Sequence, residues 1–407
     1  MADPLIEDIL VNKKKTLSVS DISAMSKEEL IDKVAQLQAH NIQLRNIIAK
    51  KIAPPCDAVG KGRDFDLSKC PKMHVFLRIL YLGWNYQGFA CQEDGNETIE
   101  FHLMKALLKS KLIASRETSN YHRCGRTDKG VSSFGQVISL TVRAAEPGKP
   151  PLTYCKMLNR LLPNDIRAVA WRAATEGTSA RFDCKSRSYK YYFPKSTLNL
   201  DVMNDAAKHL IGTHDFRNIC KMDVANGVTT FVRNIADAKV STINDDEGGY
   251  QMCELSIVGN AFLWHQVRCI ASLILLVGQG LEDSSIVKDL LDVEKNPRKP
   301  QYVLACPESL NLFKCDYEFD DWNIDEEEIE QVIETLQRLW TEHQVKSVHL
   351  RTMLGELEPL VKRKVNGQIS SILRRESKNY KPLLTRHKCQ SLEDRIEHYA
   401  KKRKVNE

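Results

Sequence analysis

The alternation of apolar and polar residues begins with a helical pattern near the N-terminus. Between Ser26 and Lys50, apolar residues recur at alternating spacings of four and three, at Leu30, Val34, Leu37, Leu44 and Ile48, and Asn41 fills the remaining position of the same seam. This heptad pattern predicts a short helix. With fewer than three heptads, both a two-stranded coiled coil and a helix docked on the protein's own body stay open. The Pro- and Gly-containing stretch at 54–62 predicts a linker.

From His74 onward, β-rich runs alternate with amphipathic stretches. The run from Val75 to Tyr81 predicts a strand, and Thr98 is placed to cap a helix from Ile99 to Leu112. The pattern continues with a strand from Gln136 to Val142, a helix from about Thr153 to Leu162 and a strand from Ile166 to Trp171. This part of the chain therefore has at least the order β-α-β-α-β.

A similar order of elements begins again after Arg187. It consists of a strand from Tyr189 to Phe193, a helix from Val202 to Ile211, strands near Val228 to Val240 and Tyr250 to Ile257, a helix from Phe262 to Val277, and a strand from Tyr302 to Cys306 or later. We predict an α+β fold with two ferredoxin-like halves, about 71–180 and 181–318. Together they would form a mixed, largely antiparallel sheet flanked by helices.

Beyond Tyr317 the chain becomes strongly charged. An acidic run at 325–328 leads into an amphipathic helix, whose apolar side carries Ile329, Val332, Ile333, Leu336, Leu339 and Trp340. Lys and Arg then predominate from His343 to the end, and we expect this tail to be ordered only in part. We therefore predict an N-terminal extension at 1–70, a catalytic domain at 71–318 and a C-terminal extension at 319–407.

Composition narrows the class of protein. The 59 Lys and Arg exceed the 53 Asp and Glu, and the formal net charge of +6 only weakly favours an anionic partner. No signal-peptide pattern opens the chain, and no apolar run approaches the roughly 20 residues that span a bilayer. The twelve cysteines contain no C-x-x-C pair, which suits free thiols in a reducing, intracellular compartment, while a zinc site assembled from distant cysteines stays open.

The clearest candidate for chemistry is the loop Gly125-Arg126-Thr127-Asp128-Lys129-Gly130. It places a carboxylate between two cations and two glycines, next to a predicted strand. Flanking cations lower the pKa of a carboxyl group, so Asp128 would stay ionised and able to attack an electrophilic carbon. From local chemistry alone, a surface turn with a chance ion pair is an equally good interpretation.

The surrounding residues closely resemble the catalytic motif of the TruA-type pseudouridine synthases, from Tyr121 to Val131 and on through Gln136. Further motifs of that family follow in order at Tyr81–Gly88, Thr98–Glu100, Ala180–Phe182, Arg187–Tyr191, Gly212–Phe216 and Gly259–Arg268, so that residues 74 to 318 are covered. The resemblance implies the pseudouridine synthase fold and isomerisation of uridine in tRNA. One departure is Ala305–Leu310, where relatives commonly carry a Pro and a Gly. The packing of this segment at the edge of the fold is therefore left open.

Two runs resemble the eukaryotic members of the family that act on tRNA positions 38 and 39, in the anticodon arm. These are Cys220–Gly227 and the tail run Arg386–His398. The family is typically homodimeric, with tRNA crossing both subunits, and the N-terminal heptad helix is compatible with a dimer. The run from Lys401 to Val405 matches a nuclear localisation signal or a substrate-binding tail, so we expect a protein of the nucleus and cytoplasm.

The resemblance also implies roles for individual residues. Asp128 would be the nucleophile, attacking C1′ of the ribose or C6 of the uracil. Arg126 would support extrusion of the target nucleotide, or alternatively contact a phosphate. Tyr189 would stack on the uracil and move a proton, and it is favoured over Tyr191 only by its place in the motif. Arg268 would pair with Asp128, the alternative again being a phosphate contact.

Other candidates bind rather than react. His265 lies three residues before Arg268 and would make a structural hydrogen bond. Lys129, Arg123, Lys185, Lys190 and the basic tail are candidates for contacts with tRNA phosphates, the alternative for each being a solvated surface position. The resemblance implies no metal or organic cofactor. Two other classes stay open, a non-catalytic RNA-binding module and a coiled-coil scaffold built on residues 26 to 50.

Overall fold

The first half of the fold is a β-sheet unit with two helices on one face. The computed structural model describes residues 66–92, 97–243, 250–363, 365–373 and 379–406, with Met25, Ser26 and Leu30. The predicted heptad helix and linker therefore lie outside the described residues. The elements of this half are β1 (Lys72–Tyr81), α1 (Ile99–Lys109), β2 (His122–Arg123), β3 (Ser132–Arg143), α2 (Tyr154–Asn159) and β4 (Ile166–Ala174). As predicted, Thr98 caps α1, because its side chain accepts a hydrogen bond from the Phe101 amide.

The second half repeats this kind of arrangement. Its elements are β5 (Ser186–Pro194), α3 (Leu200–Lys208), β6 (Gly212–Asp215), β7 (Val232–Thr242), β8 (Met252–Gly259), α4 (Gln266–Gly278), α5 (Ile286–Leu291) and β9 (Leu310–Asp316). In β8 buried residues alternate with more exposed ones, which is the period of a strand with one face on a core. Helix α4 is almost wholly apolar, and nearly all of it is buried against α3 and the sheet.

All nine strands form one mixed sheet. Its order is β4-β1-β3-β9-β5-β8-β7-β6, and β2 pairs with the free part of β3. Within the described residues the pairings are antiparallel except that of β3 with β9, which is parallel and places Ser132 opposite Asn311 and Ser133 opposite Leu312. The Ser133 hydroxyl donates to the Leu312 carbonyl across this seam at 2.7 Å. The two halves therefore meet at the start of β3, directly after the Asp128 loop.

Three details of the second half differ from the predicted elements. The strand predicted at Tyr302–Cys306 or later begins only at Leu310, as β9. The earlier segment packs as a loop, with the Ala305 amide donating to the Ser272 hydroxyl at 2.7 Å. Helix α4 begins at Gln266 instead of Phe262, because His265 has a positive φ of 59°. The short strand β6 begins at Gly212, whose φ is 112°, and its four residues carry too little pattern to be predicted.

The C-terminal region has a long helix and a packed tail. Helix α6 (Glu326–Leu357) is capped by Asp325 and packs through Val332 on Leu80 and Val169, whereas its residues from Thr341 onward are exposed. Helices α7 (Gln368–Ile372) and α8 (Leu392–Asn406) follow. The tail run is ordered against the body, since Leu383 and Leu392 are buried in the core of the second half. Among the described helices, none is both long and apolar enough to cross a membrane.

Candidate active site

The loop after β1 supports the backbone of the Asp128 loop. A Cβ atom on Gly83 would lie 1.9 Å from the Val131 carbonyl oxygen, so only glycine permits this approach. The Gly83 amide donates to the Ser132 hydroxyl at 3.0 Å. The glycine of the Tyr81–Gly88 signature is therefore required by close packing of two backbone segments, one of which carries the candidate nucleophile.

Further hydrogen bonds hold both sides of Asp128. The Tyr81 hydroxyl and the Thr127 hydroxyl lie 2.7 Å apart in a buried pair. The Phe89 amide donates to the Thr127 carbonyl at 3.1 Å, and the Gly130 amide donates to the Tyr86 carbonyl at 3.2 Å. Because the residues before and after Asp128 are fixed in this way, the loop presents the carboxylate in a defined position and is not a free surface turn.

The start of the loop is clamped by a buried amide side chain. Gln136 is fully buried on β3, and its side chain donates to the Gly125 carbonyl at 3.0 Å and accepts from the Gly125 amide at 3.2 Å. One glutamine therefore satisfies both backbone polar groups of Gly125, at the start of the loop. This explains why the resemblance extends from the Asp128 loop into the strand.

Asp128 lies among groups that come mainly from the Gly259–Arg268 motif. One carboxylate oxygen, Oδ2, lies 3.4 Å from Nε2 of His265 and 3.8 Å from Nη1 of Arg268. The indole of Trp264 and the positive charge of Lys221 lie close enough to lower the pKa of the carboxyl group. The Asp128 side chain is 24% exposed, so the carboxylate is half-enclosed yet reachable. The structure thus brings together three predicted site residues, Asp128, His265 and Arg268.

The pKa of Asp128 corrects one prediction. Burial raises this pKa above its ordinary value, and the opposing effects of Arg268, the Trp264 indole and Lys221 do not fully offset it. The neighbours in sequence, Arg126 and Lys129, are both exposed and are not the groups that act on the carboxylate. The expected lowering by flanking cations was therefore wrong, because burial is set by tertiary packing.

Arg268 is held in place by the segment that departs from the family pattern. Its Nε donates to the Ala305 carbonyl at 2.8 Å, and its side chain is 14% exposed. The Ala305 amide is itself bonded to Ser272, one turn further along α4. The edge at Ala305–Leu310 is therefore well packed in this chain, and it aims one nitrogen of Arg268 at Asp128 while another is occupied.

His265 is a neutral neighbour of the carboxylate. Burial, aided by the positive charges of Arg268, Lys221 and Lys299, lowers the pKa of His265 to about 4. The imidazole is consequently uncharged near neutral pH, and its 3.4 Å approach to Asp128 is a polar contact, not an ion pair. The second ring nitrogen, Nδ1, is buried without a hydrogen-bond partner among the described residues, so the structural hydrogen bond predicted for His265 stays a prediction.

Tyr189 lies on β5 beside the same motif. Its ring meets that of Phe262 edge to face, with centroids 5.0 Å apart. Burial raises the pKa of Tyr189 far above its ordinary value, so the phenol keeps its proton. The neighbouring Tyr191 is completely buried in the core of the second half, which leaves Tyr189 as the partly accessible member of the pair. The structure supports the motif-based choice between them.

The predicted phosphate-binding residues differ in their surroundings. Arg126 and Lys129 are exposed, and within the described parts of the chain neither forms a salt bridge. Arg123 instead contacts the fully buried carboxylate of Glu100, which Arg116 also approaches at 3.3 Å. Two lysines pair with carboxylates as well, Lys185 with Glu318 and Lys190 with Glu254. Only Arg126 and Lys129 of this set therefore present an unpaired charge near the Asp128 loop.

Two residues at the site were not predicted from the sequence, Trp264 and Lys221. Lys221 lies over the Trp264 ring, with Nζ 3.9 Å from its centroid, and the Lys221 amide donates to the Trp264 carbonyl at 2.9 Å. The indole is 41% exposed. Both residues belong to motifs that the sequence displays, but nothing in the sequence indicates that the Cys220–Gly227 run folds back onto the Gly259–Arg268 motif.

Comparisons with known proteins agree with this geometry. A sequence model described as tRNA pseudouridine synthase matches residues 206–318. The human tRNA pseudouridine(38/39) synthase is 41% identical, over 96% of this chain and 91% of that protein. The Saccharomyces cerevisiae protein of the same name is 37% identical over 77% of this chain and 74% of its own length. A tRNA pseudouridine synthase A from Methanosarcina mazei is 32% identical, over 54% and 76% of the two chains. The chain therefore belongs to the tRNA pseudouridine synthase family.

Proposed function

We propose that this protein isomerises uridine to pseudouridine in the anticodon arm of tRNA, at positions 38 and 39, with Asp128 as the nucleophile. The observation that carries the proposal is the position of the Asp128 carboxylate. It is half-enclosed and lies 3.8 Å from the Arg268 guanidinium, and the loop residues on either side of it are held by hydrogen bonds. The human and yeast relatives named for positions 38 and 39 support the choice of substrate.

The chemistry needs one nucleophile and no change of oxidation state. The Asp128 carboxylate attacks either C1′ of the ribose or C6 of the uracil, and the bond between N1 and C1′ breaks. The uracil turns, a bond forms between C5 and C1′, and the proton on C5 is lost while N1 gains one. Substrate and product have the same composition, so the reaction requires neither a redox cofactor nor a consumed water molecule.

The surrounding residues fit the later steps. Tyr189 keeps its phenolic proton and can exchange it with the intermediate, while its ring offers a face to the base. The target nucleotide must leave the stack to reach a carboxylate that is only 24% exposed. Arg126 is exposed two residues before Asp128, and in this proposal it would occupy the space that the nucleotide leaves. Arg126 and Lys129 together would meet phosphates of the anticodon arm.

The choice of the anticodon arm as substrate is supported by a contact between two segments. These are Cys220–Gly227 and Arg386–His398, the runs that resemble the enzymes acting on positions 38 and 39. Arg395 in the tail donates to the Met222 carbonyl at 3.2 Å, and Glu393 pairs with Arg217 at 3.0 Å. Helix α8 packs on the turn Val224–Asn226. The tail therefore supports the run that carries Lys221, and Lys221 lies at the active site.

The test compares Asp128→Asn and Asp128→Ala with the wild type on tRNA labelled with tritium at C5 of uridine. Formation of pseudouridine releases the label, because C5 exchanges its hydrogen for the bond to C1′. We expect label release to vanish in both variants while tRNA binding persists, and we expect label at positions 38 and 39 to be released by the wild type. Isomerisation by either variant would refute the nucleophile, and binding without any release by the wild type would favour the RNA-binding module.

The finer organisation of the fold belongs to the same proposal. The strand orders β4-β1-β3-β2 and β9-β5-β8-β7 support two halves of ferredoxin-like topology. We assign residues 71–318 to the catalytic domain, between an N-terminal extension at 1–70 with the heptad helix and a C-terminal extension at 319–407. Deleting residues 26–50 should leave isomerisation intact, and loss of activity would favour a scaffold role for that segment.

We further propose a homodimer and a distribution between nucleus and cytoplasm. Exposed apolar side chains on one stripe of α6 support a dimer, namely Leu350, Leu354 and Leu357. Leu350→Glu should convert the protein to a monomer in light scattering, whereas Val345→Glu on another face of α6 should not. Removing the basic run Lys401–Val405 should shift a fluorescent fusion towards the cytoplasm, and an unchanged distribution would exclude that run as the signal.

A further inference from the structure

Three cysteines that are far apart in sequence meet beneath the active site. The sulfur atoms of Cys124, Cys184 and Cys315 all lie within 4.8 Å of one another. Each of the three residues is at least nine-tenths buried, in a small core that includes Phe76 and Leu312. The sequence shows no C-x-x-C pair, so the cluster is assembled entirely by tertiary structure.

The three sulfurs come from three elements that the active site depends on. Cys124 directly precedes Gly125 of the Asp128 loop. Cys184 stands two residues before β5, the strand that carries Tyr189, and Cys315 lies near the end of β9. The cluster therefore joins both halves of the sheet close to the β3–β9 seam.

A partly buried positive charge accompanies the sulfurs. The guanidinium of Arg187 interacts electrostatically with all three cysteines. It is held by backbone carbonyls, donating to Cys124 at 3.1 Å, to Arg181 at 3.1 Å and to Asn260 at 2.5 Å. None of these partners is a carboxylate, so the charge of Arg187 is available to balance negative sulfur.

The spacing suits a thiophilic metal ion. Zinc binds thiolates at about 2.3 Å in a tetrahedron, which separates the sulfurs by about 3.8 Å. Sulfurs within 4.8 Å of one another reach this spacing through shifts of about 1 Å or less. Three thiolates with Zn²⁺ carry one net negative charge, and Arg187 neutralises it. Two oxygens of the described residues near the cluster are already engaged. The Tyr317 hydroxyl donates to the Ala180 carbonyl at 2.7 Å, and the Ser186 carbonyl accepts from the Cys184 thiol at 3.2 Å. The fourth ligand would therefore be non-protein.

We propose that Cys124, Cys184 and Cys315 form a structural zinc site that fastens the base of the Asp128 loop to both halves of the sheet. Binding replaces three S–H bonds by three S–Zn bonds and releases three protons, without any change of oxidation state. The ion takes no part in the isomerisation. It holds the loop that presents the nucleophile.

The test measures metal content and not activity alone. Full-length protein purified without chelators should contain about one zinc ion per chain by mass spectrometry of the metal. Cys184→Ser and Cys315→Ser should each lose most of it. Cys155→Ser is the matched control, because Cys155 is equally buried but lies in another core, and it should keep the full amount. Cobalt exchanged into the wild type should give the near-ultraviolet absorption of thiolate-bound Co²⁺, which the two cluster variants should lack.

Stability provides a second, independent readout. A zinc chelator should lower the melting temperature of the wild type and of Cys155→Ser, and should leave that of Cys315→Ser unchanged. Wild-type protein that takes up less than about a tenth of an equivalent of zinc or cobalt would overturn the proposal. So would recovery of two of the three cysteines as a disulfide from protein purified under reducing conditions. Neither result would affect the test of Asp128, which depends on tritium release.

Discussion

The pairing of Arg268 with Asp128 makes a prediction that separates its two possible roles. Arg268→Met removes the charge and keeps much of the side-chain length. Two unit charges about 4 Å apart interact by about 4 kcal/mol at an effective dielectric constant of 20 and by about 1 kcal/mol in water. The observed separation is 3.8 Å and the Asp128 side chain is 24% exposed. We therefore expect Arg268→Met to remove an intermediate ~2 kcal/mol of electrostatic stabilisation of the ionised carboxylate, which is about 30-fold in the ionisation equilibrium of Asp128.

The sign of this effect gives it a distinctive pH dependence. Arg268 opposes the rise that burial causes in the pKa of Asp128, so removing the guanidinium raises that pKa further. The ionised carboxylate is the nucleophile, and activity is therefore lost as the pH falls through the pKa. In Arg268→Met the acid limb of kcat/KM should move to higher pH. The difference from the wild type should reach about 30-fold at acidic pH and shrink as the pH rises.

The assay is tritium release measured across the pH range, with tRNA affinity measured at several salt concentrations. Arg268→Lys is the control for charge, since it keeps a cation but cannot bond Ala305 and reach Asp128 with one planar group. Its acid limb should lie between those of the wild type and Arg268→Met. The alternative result is a loss of kcat/KM that is the same at every pH, together with weaker tRNA binding whose salt dependence corresponds to about one phosphate contact fewer. That result would show that Arg268 binds the tRNA backbone instead.

Three further substitutions test the site and its support. Trp264→Phe removes the indole N–H, which lowers the pKa of Asp128. The acid limb should therefore shift the same way by a smaller amount, about fivefold in kcat/KM. An unchanged pH profile would show that the indole does not act on Asp128. Gly83→Ala should sharply reduce kcat, because the added Cβ would meet the Val131 carbonyl oxygen at 1.9 Å. The control is Gly355→Ala in the exposed part of α6, which has open space around it and should leave kcat unchanged. Equal effects of the two substitutions would contradict the steric argument. Glu100→Gln leaves Arg116 and Arg123 without their buried counter-charge and should lower the free energy of unfolding, measured with denaturant, by about 3 kcal/mol. A decrease below about 1 kcal/mol would show that these ion pairs are not needed for stability.

Elements with strong local signals were predicted well from the sequence. The Thr98 cap, the strand β1 and the apolar helix α4 all follow from patterns within a dozen residues, and their observed ends differ by only a few positions. The errors lie where a distant partner decides. The segment around Ala305 has strand-forming residues, but its polar groups bond to α4 and it leaves the sheet. Local pattern carries no information about such partners.

The active site shows the same division more sharply. The family resemblance predicted that Arg268 pairs with Asp128, and the structure places the two side chains 3.8 Å apart, with His265 also beside the carboxylate. The sequence could not give the direction in which the pKa of Asp128 is shifted, because desolvation depends on how deeply the loop is buried. It also could not show that Arg123 is occupied by Glu100, a residue 23 positions earlier and buried on α1. Residue type indicates a possible charge, and packing decides whether that charge is available.

The position of Asp128 at the seam couples its chemistry to the arrangement of the two halves. The carboxylate belongs to the first half and is fixed there through Thr127 and Tyr81. Its charged partner, Arg268, belongs to the second half and is fixed there through Ala305. A coulombic interaction varies inversely with distance, so any change in the seam alters the ionisation of the nucleophile. The parallel pairing of β3 with β9 extends over two residue pairs immediately after the loop, and it therefore helps to fix the distance between Asp128 and Arg268 as well as the continuity of the sheet.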